Sequence, residues 1–183
     1  MFEKAGAHNT EKALEAAVGA AKEYGISHIV VASTGGGTAR KALEAVSGTD
    51  IKLVVVTHST GFSKPGHQEF DTGARDEIEN AGHDVLTGTH LLRGLGKAIK
   101  MKMGWSEEEL VANTLRIFGQ GMKVAVEIAT MAADAGLVPC PADVVSVGGT
   151  ARGADTVIVI HTMPAANFFD LKVRRIIAKP VGA

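Results

Sequence analysis

Ser33, Thr34, Gly35, Gly36, Gly37 and Thr38 stand in one unbroken run, directly behind the apolar stretch His28–Ala32 and ahead of a stretch with helical spacing. A glycine turn that leaves a strand and opens a helix presents unpaired backbone N–H groups at the positive end of the helix dipole. With no Cβ in the way, an anion can approach them closely. The chemistry this supports is binding of phosphate or another anion, with the hydroxyls of Ser33, Thr34 and Thr38 as further donors. A tight turn that needs glycine only for its geometry is the alternative. Two sharper motifs are excluded. The nucleoside triphosphate P-loop ends in Gly-Lys-Ser/Thr, whereas Gly37 is followed by Thr38, Ala39 and Arg40. The dinucleotide fingerprint wants glycine or alanine where Arg40 stands, and an acidic residue where the second strand ends in Thr57 and His58.

The five residues Gly36–Arg40 recur as Gly148–Arg152, behind a second apolar run at Ala142–Val147. In an open α/β sheet ligands bind beyond the carboxyl ends of the strands, where neighbouring strands send their connections to opposite faces. A strand order of 3-2-1-4 puts that crevice between strands one and four, so Gly148, Gly149, Thr150 and Arg152 are expected opposite the first loop; chance recurrence is the alternative. The loop after the second strand brings Thr57, His58, Ser59, Thr60, Gly61 and Phe62 to the same edge, with Phe62 expected to stack on a planar ring. The helix that enters strand four must begin at this edge, which adds Gln120, Gly121 and Lys123. Lys123 either lends charge to the pocket or forms a surface pair with Glu127 at i, i+4.

Other chemistry is weakly supported. His67, Glu69 and Asp71 alternate in a manner that suits a metal, but no second cluster at ligand spacing accompanies them and no metal is expected. His90 and His161 stand isolated and read as ordinary polar or core residues. Neither a Gly-x-Ser-x-Gly nor a His-Glu-x-x-His motif occurs, and no paired carboxylates flank the glycine loops, so no catalytic set is assigned. Cys140 is the single cysteine, which rules out an internal disulfide; it reads as a packed loop residue.

The elements that must position these residues follow from periodicity. Thr10 is expected to cap a helix with Leu14, Ala17, Val18 and Ala21 on one face, stopped by Gly25. Strand one at 28–32, a helix carrying Ala39, Ala42, Leu43 and Val46, and strand two at 51–57 form a βαβ unit. Its strands are nearly continuous Val and Ile, which predicts parallel pairing with both faces covered. A weak helix over 72–81 and a third strand over 83–88 come next. Ser106 with Glu109 makes a capping box for a long helical tract that Gly119 and Gly121 should break, its second part ending at Gly136. Lysines over 97–105 suggest a basic helix face. Strands at 143–147, 155–161 and 171–177 complete a single domain over 1–183. The fold class expected is a three-layer α/β/α sandwich with a mostly parallel sheet of order 3-2-1-4-5 and an antiparallel edge strand.

Composition narrows the partners. The chain has 183 residues, 45% of them apolar, with 19 basic and 20 acidic side chains and a net charge of −1. That is enough apolar material for a sizeable core and no basic excess to attract nucleic acid. The N-terminal stretch lacks a signal-peptide pattern, and no apolar run nears the roughly 18 residues that span a bilayer. A cytoplasmic protein with neither nucleic-acid nor membrane partner is expected.

The order strand, "TGGGTA" turn, helix, "LVVVT" strand and final "DVVSVGG" strand, together with "FGQGMKVAVEIATMAADAGL" at 118–137, resembles the C-terminal α/β domain of pyruvate kinase. It is most similar to the stand-alone archaeal versions of that domain. In full pyruvate kinases the matching turn holds a phosphate of the sugar-bisphosphate effector, which the resemblance transfers to Thr34, Gly35 and Thr38. Here the turn has one extra glycine, and "GGTARGAD" replaces the family's effector loop. The catalytic chemistry of that family lies in a (β/α)₈ barrel of about 250 residues, so a chain of this length is not expected to be a pyruvate kinase. The resemblance implies a phosphorylated ligand, with flavin mononucleotide (FMN) foremost. A flavin-dependent oxidoreductase, a sugar-phosphate sensor and a module that pairs with further copies of itself through its last strand are the competing expectations.

Overall fold

The computed structural model describes residues 1–182, so Ala183, the last residue of the expected domain, lies outside the described residues. Six strands form one sheet: β1 (His28–Ala32), β2 (Lys52–Val56), β3 (Asp84–Leu86), β4 (Asp143–Gly148), β5 (Thr156–His161) and β6 (Lys172–Ala178). Their order is β3-β2-β1-β4-β5-β6. The pairs β1/β2, β1/β4 and β2/β3 are parallel, while β4/β5 and β5/β6 are antiparallel. The antiparallel part is therefore two pairings wide, because β4 turns straight back into β5 through the residues of the second glycine loop.

Strand side chains alternate between two cores. Ile29, Val31, Leu53, Val55, Val145 and Val147 pack with α1 (Thr10–Tyr24), α2 (Gly37–Val46) and α3 (Thr72–Asn80) on one face. Val30, Val54, Val56, Val144, Ile158 and Ile160 pack with α6 (Gln120–Asp134) on the other. Burial on both faces is why these strands read as unbroken apolar runs. Two further helices, α4 (Gly94–Met103) and α5 (Glu107–Arg116), form a hairpin beside α6. Ser106 Oγ accepts from the Glu109 amide at 3.2 Å and caps α5, as the capping box predicts. Gly25 ends α1 in the left-handed conformation with φ 64°.

Thr10 differs from expectation. It is the first residue of α1, and its hydroxyl donates back to the Ala7 carbonyl at 2.7 Å while accepting from the Ala154 amide at 3.0 Å. It ties the N-terminal segment to the loop before β5 and caps nothing. No helix among the described residues is long and apolar enough to cross a membrane.

Candidate functional site

The carboxyl ends of β1, β2 and β4 and the N-termini of α2 and α6 meet at one edge of the sheet. Two adjoining hollows open there. An outer cleft of about 640 Å3 is lined from the first loop by Ser33, Thr34, Gly35, Gly37 and Thr38, and from the second by Gly149, Ala151, Arg152 and Gly153. An inner cavity of about 530 Å3 lies under α4 and α5. Ser33, Thr34, His58, Gln120 and Val124 border both, so the two are continuous. The two glycine loops face each other because each leaves the carboxyl end of one of two parallel neighbours, the first from β1 into α2 and the second from β4 into the hairpin with β5.

The two copies of the pentapeptide do different work with the same residues. In the first, Gly36 adopts φ 98° and its missing Cβ faces α3, where one would come within 2.7 Å of Ala74 Cβ. Arg40 likewise turns away from the cleft, reaching Asp71 at 2.6 Å and Glu77 at 2.7 Å and holding both carboxyls below their usual range. In the second, Arg152 lines the cleft and Ala151 sits at φ 62°, a left-handed conformation rare outside glycine. Asp155, fully buried, accepts from the amides of Thr150 at 3.2 Å and Gly6 at 3.0 Å and pins this loop to the N-terminal segment. The Thr150 hydroxyl is turned inward and meets no partner among the described residues.

Several expected site residues serve packing. A Cβ on Gly121 would fall on Thr156 Oγ1, and one on Gly148 would fall on the Gly121 carbonyl. These glycines let α6 lie against β4 and β5 and do not border either hollow. Thr57 is buried and donates to the His58 carbonyl at 2.9 Å. The Thr60 hydroxyl accepts from Gln68 at 3.3 Å, and Gly61 closes the loop onto the His67 carbonyl at 2.8 Å. Ser59 is half-buried in the same loop and lines neither hollow. Ser33 keeps its place at the cleft while its hydroxyl accepts from the Ala39 amide at 3.2 Å, which settles one of the first α2 donors; those before it have no carbonyl a turn earlier to bond.

Phe62 departs from its expected use. His58 stacks on its ring with centroids 3.6 Å apart, and the Arg93 guanidinium carbon lies 3.6 Å from its centroid. Both cannot occupy one face at that distance, so each face is covered. Phe62 offers the inner cavity an edge and no stacking surface. His58 itself joins the hydroxyl of Thr34 (Nε2, 3.4 Å) to the carboxylate of Glu69 (Nδ1, 3.0 Å). Glu69 is thereby parted from Asp71, which caps α3 through the Ala74 amide at 2.9 Å. No cluster of three or more potential metal ligands occurs among the described residues.

Motif spacing did not reveal the floor of the inner cavity. Lys123 is no surface residue: its side chain is 7% exposed, that of Glu127 is 1% and that of His90 is 11%. Glu127 accepts from Lys123 Nζ at 2.5 Å, from His90 Nδ1 at 3.2 Å and from the Leu92 amide at 2.7 Å. Burial pushes the Glu127 carboxyl up, but the His90 hydrogen bond and the Lys123 charge outweigh it and hold it at about 2. The i, i+4 spacing of Lys123 and Glu127 was legible; that His90 joins them from a loop 37 residues away in sequence was not.

The chain is similar in fold to a pyruvate kinase from Cryptosporidium parvum, with 12% identity and a TM-score of 0.43, covering 82% of this chain and 22% of that one. This chain thus spans about a fifth of the length of that kinase. Residues 11–160 match the sequence model of the pyruvate kinase alpha/beta domain, and the chain belongs to that family.

Proposed function

We propose that this chain binds a phosphorylated small molecule at the carboxyl edge of its sheet, with the phosphate on the loop 33–38 and Arg152 facing it. One observation carries this reading: glycine turns from two separate strands line a single cleft, and one of them opens the ten-residue helix α2. The hollow is of the size that small-molecule sites occupy, about 300 to 1,000 Å3. Kinase chemistry is no part of the proposal, since the described residues form an open six-stranded sheet and no barrel.

The test uses Gly37, where a Cβ would meet nothing within 4 Å, and avoids Gly36, whose substitution would press on α3. Gly37→Asp sets a carboxylate at the mouth of the cradle without disturbing packing. Calorimetric titration with inorganic phosphate and with FMN is expected to show binding to the parent protein and a loss of at least about tenfold in the variant. Equal affinity in the two proteins rejects the cradle.

FMN suits the reading at its phosphate end, and Val56, Leu92, Val124 and Ile128 give the inner cavity apolar walls for a ring. Bound flavin would supply the redox chemistry of its own ring, and the chain would hold and orient it. Sugar phosphates suit the cradle equally. Protein purified without added ligand carries flavin absorbance if flavin is the ligand; a colourless preparation that also fails to take up added FMN removes flavin while leaving the phosphate titration to judge the cradle.

A further inference from the structure

Three side chains of the outer cleft are joined in series. Thr34 Oγ1 lies 3.4 Å from His58 Nε2, and His58 Nδ1 lies 3.0 Å from Glu69 Oε2. A carboxylate only accepts, so Nδ1 carries a hydrogen in either charge state of the ring; Nε2 is left to take a proton from the Thr34 hydroxyl or to return one. Stacking on Phe62 fixes the plane of the imidazole. A hydroxyl within reach of a base that a third group orients is the arrangement of an activated nucleophile, and its hydrogen bond is commonly long before substrate binds. Thr34 also stands on the turn between β1 and α2, where the amides that open the helix face charge developing on atoms bonded to its oxygen. Of the residues lining this cleft, His58, Glu69 and Arg152 are the charged or titratable ones, and a guanidinium gives up no proton. From the inner side His90 meets the His58 ring edge-on with centroids 5.7 Å apart, Arg93 covers Phe62, Lys123 is engaged by Glu127, and Lys100 and Arg116 are engaged by Glu109. Among the described residues Glu69 forms its ion pair with His58 alone.

We infer that Thr34 is the nucleophile of a phosphoryl-transfer reaction, with His58 as its acid-base partner and Glu69 as the positioning residue, and that the substrate is an acyl phosphate. This rests on the phosphate binding proposed for the loop 33–38. The Thr34 oxygen attacks phosphorus in line with the acyl oxygen: a P–O bond to Thr34 forms, the P–O bond to the acyl group breaks, and the Thr34 proton passes to His58 Nε2. In-line displacement puts the leaving oxygen on the far side of phosphorus from His58. No other acid among the cleft-lining residues serves that side, so the leaving group departs without a proton. A carboxylate, whose acid has a pKa of about 4, does so readily, whereas the alkoxide of an alkyl phosphate does not. Water then attacks the phosphothreonine from the vacated side and gives a proton to solvent, while His58 returns its proton to the Thr34 oxygen as that P–O bond breaks. Acyl phosphate and water thus yield carboxylate, inorganic phosphate and a proton.

The experiment incubates the chain with acetyl phosphate in a metal-chelating buffer and follows release of inorganic phosphate. Release is expected to run at least about 100-fold faster than in Thr34→Val, which keeps the shape and loses the hydroxyl, and than in His58→Gln, with Thr34→Ser restoring it. Glu69→Gln is expected to lower kcat while KM holds, a split that a merely structural contact would not produce. Glycerol phosphate, whose leaving group is an alkoxide, should stay intact. Turnover that survives in Thr34→Val makes water the nucleophile and overturns the assignment, as does cleavage of glycerol phosphate at a rate equal to that of acetyl phosphate. Release by the parent protein no faster than in buffer alone overturns it even if no variant folds. Calorimetry with inorganic phosphate reads the cradle by itself: phosphate bound without turnover overturns the chemistry and leaves the cradle standing, whereas loss of both removes the cradle as well.

Discussion

At the scale of single residues, the trio of His90, Lys123 and Glu127 is where charge and stability meet. Glu127 titrates at about 2 in the folded chain against 4.5 ordinarily. The unfolded chain therefore takes up the proton first as pH falls, so the stabilisation is complete above about pH 4.5 and is lost on the way down to about pH 2. The amount is on the order of 3 kcal/mol. Urea midpoints measured across that window should fall with pH in the parent protein and lose this component in Glu127→Gln; identical slopes would contradict the buried ionised carboxylate. Gly36 offers a second check. With φ 98° and Ala74 Cβ at 2.7 Å from its absent Cβ, Gly36→Ala is expected to destabilise by about 1–3 kcal/mol, whereas Gly37→Ala should be close to neutral in a thermal melt.

At the scale of elements, the repeated pentapeptide shows how identical residues diverge once their helices and strands are placed. Arg40 spans from α2 to α3 through half-exposed ion pairs, a kind that solvent screens and that adds little to stability. Arg152 stands on a loop between antiparallel strands and borders the cleft. Arg40→Ala is therefore expected to leave phosphate affinity unchanged and stability nearly so, while Arg152→Ala weakens phosphate binding. A titration giving the opposite order would show that the roles are exchanged. The contact of α6 with the sheet makes a harsher prediction: Gly121→Ala drives a methyl into Thr156 and should shift the denaturation midpoint by the equivalent of about 1–3 kcal/mol.

At the scale of the whole molecule, Asp155 connects parts far apart in sequence. Its carboxylate holds Gly6 of the N-terminal segment, Thr150 of the cleft loop and, at 2.9 Å, the Thr156 hydroxyl. Asp155→Ala leaves one buried and two partly buried donors without their acceptor, a loss of about 2–4 kcal/mol, which in a chain of this size lowers the melting temperature by roughly 4–16 °C. Because the same carboxylate shapes the second loop, phosphate affinity should fall with it. Calorimetry that finds stability reduced and affinity intact would separate the loop from the cleft.

Local signals sufficed for much of this protein. Runs of Val and Ile in 28–32 and 51–57, the helical spacing after Gly37, the cap at Ser106 and the break at Gly119 each report on neighbours within a few residues, and each named its element correctly. The first glycine turn was legible for the same reason, and the strand order let the second be set against it. What tertiary structure alone decided is which side chains are already engaged. Phe62 loses both faces to His58 and Arg93, Gly121 and Gly148 are spent on the contact of α6 with the sheet, and His90 reaches Glu127 across 37 residues of sequence. Such contacts join positions brought together by packing of whole elements, and no local period or spacing encodes them.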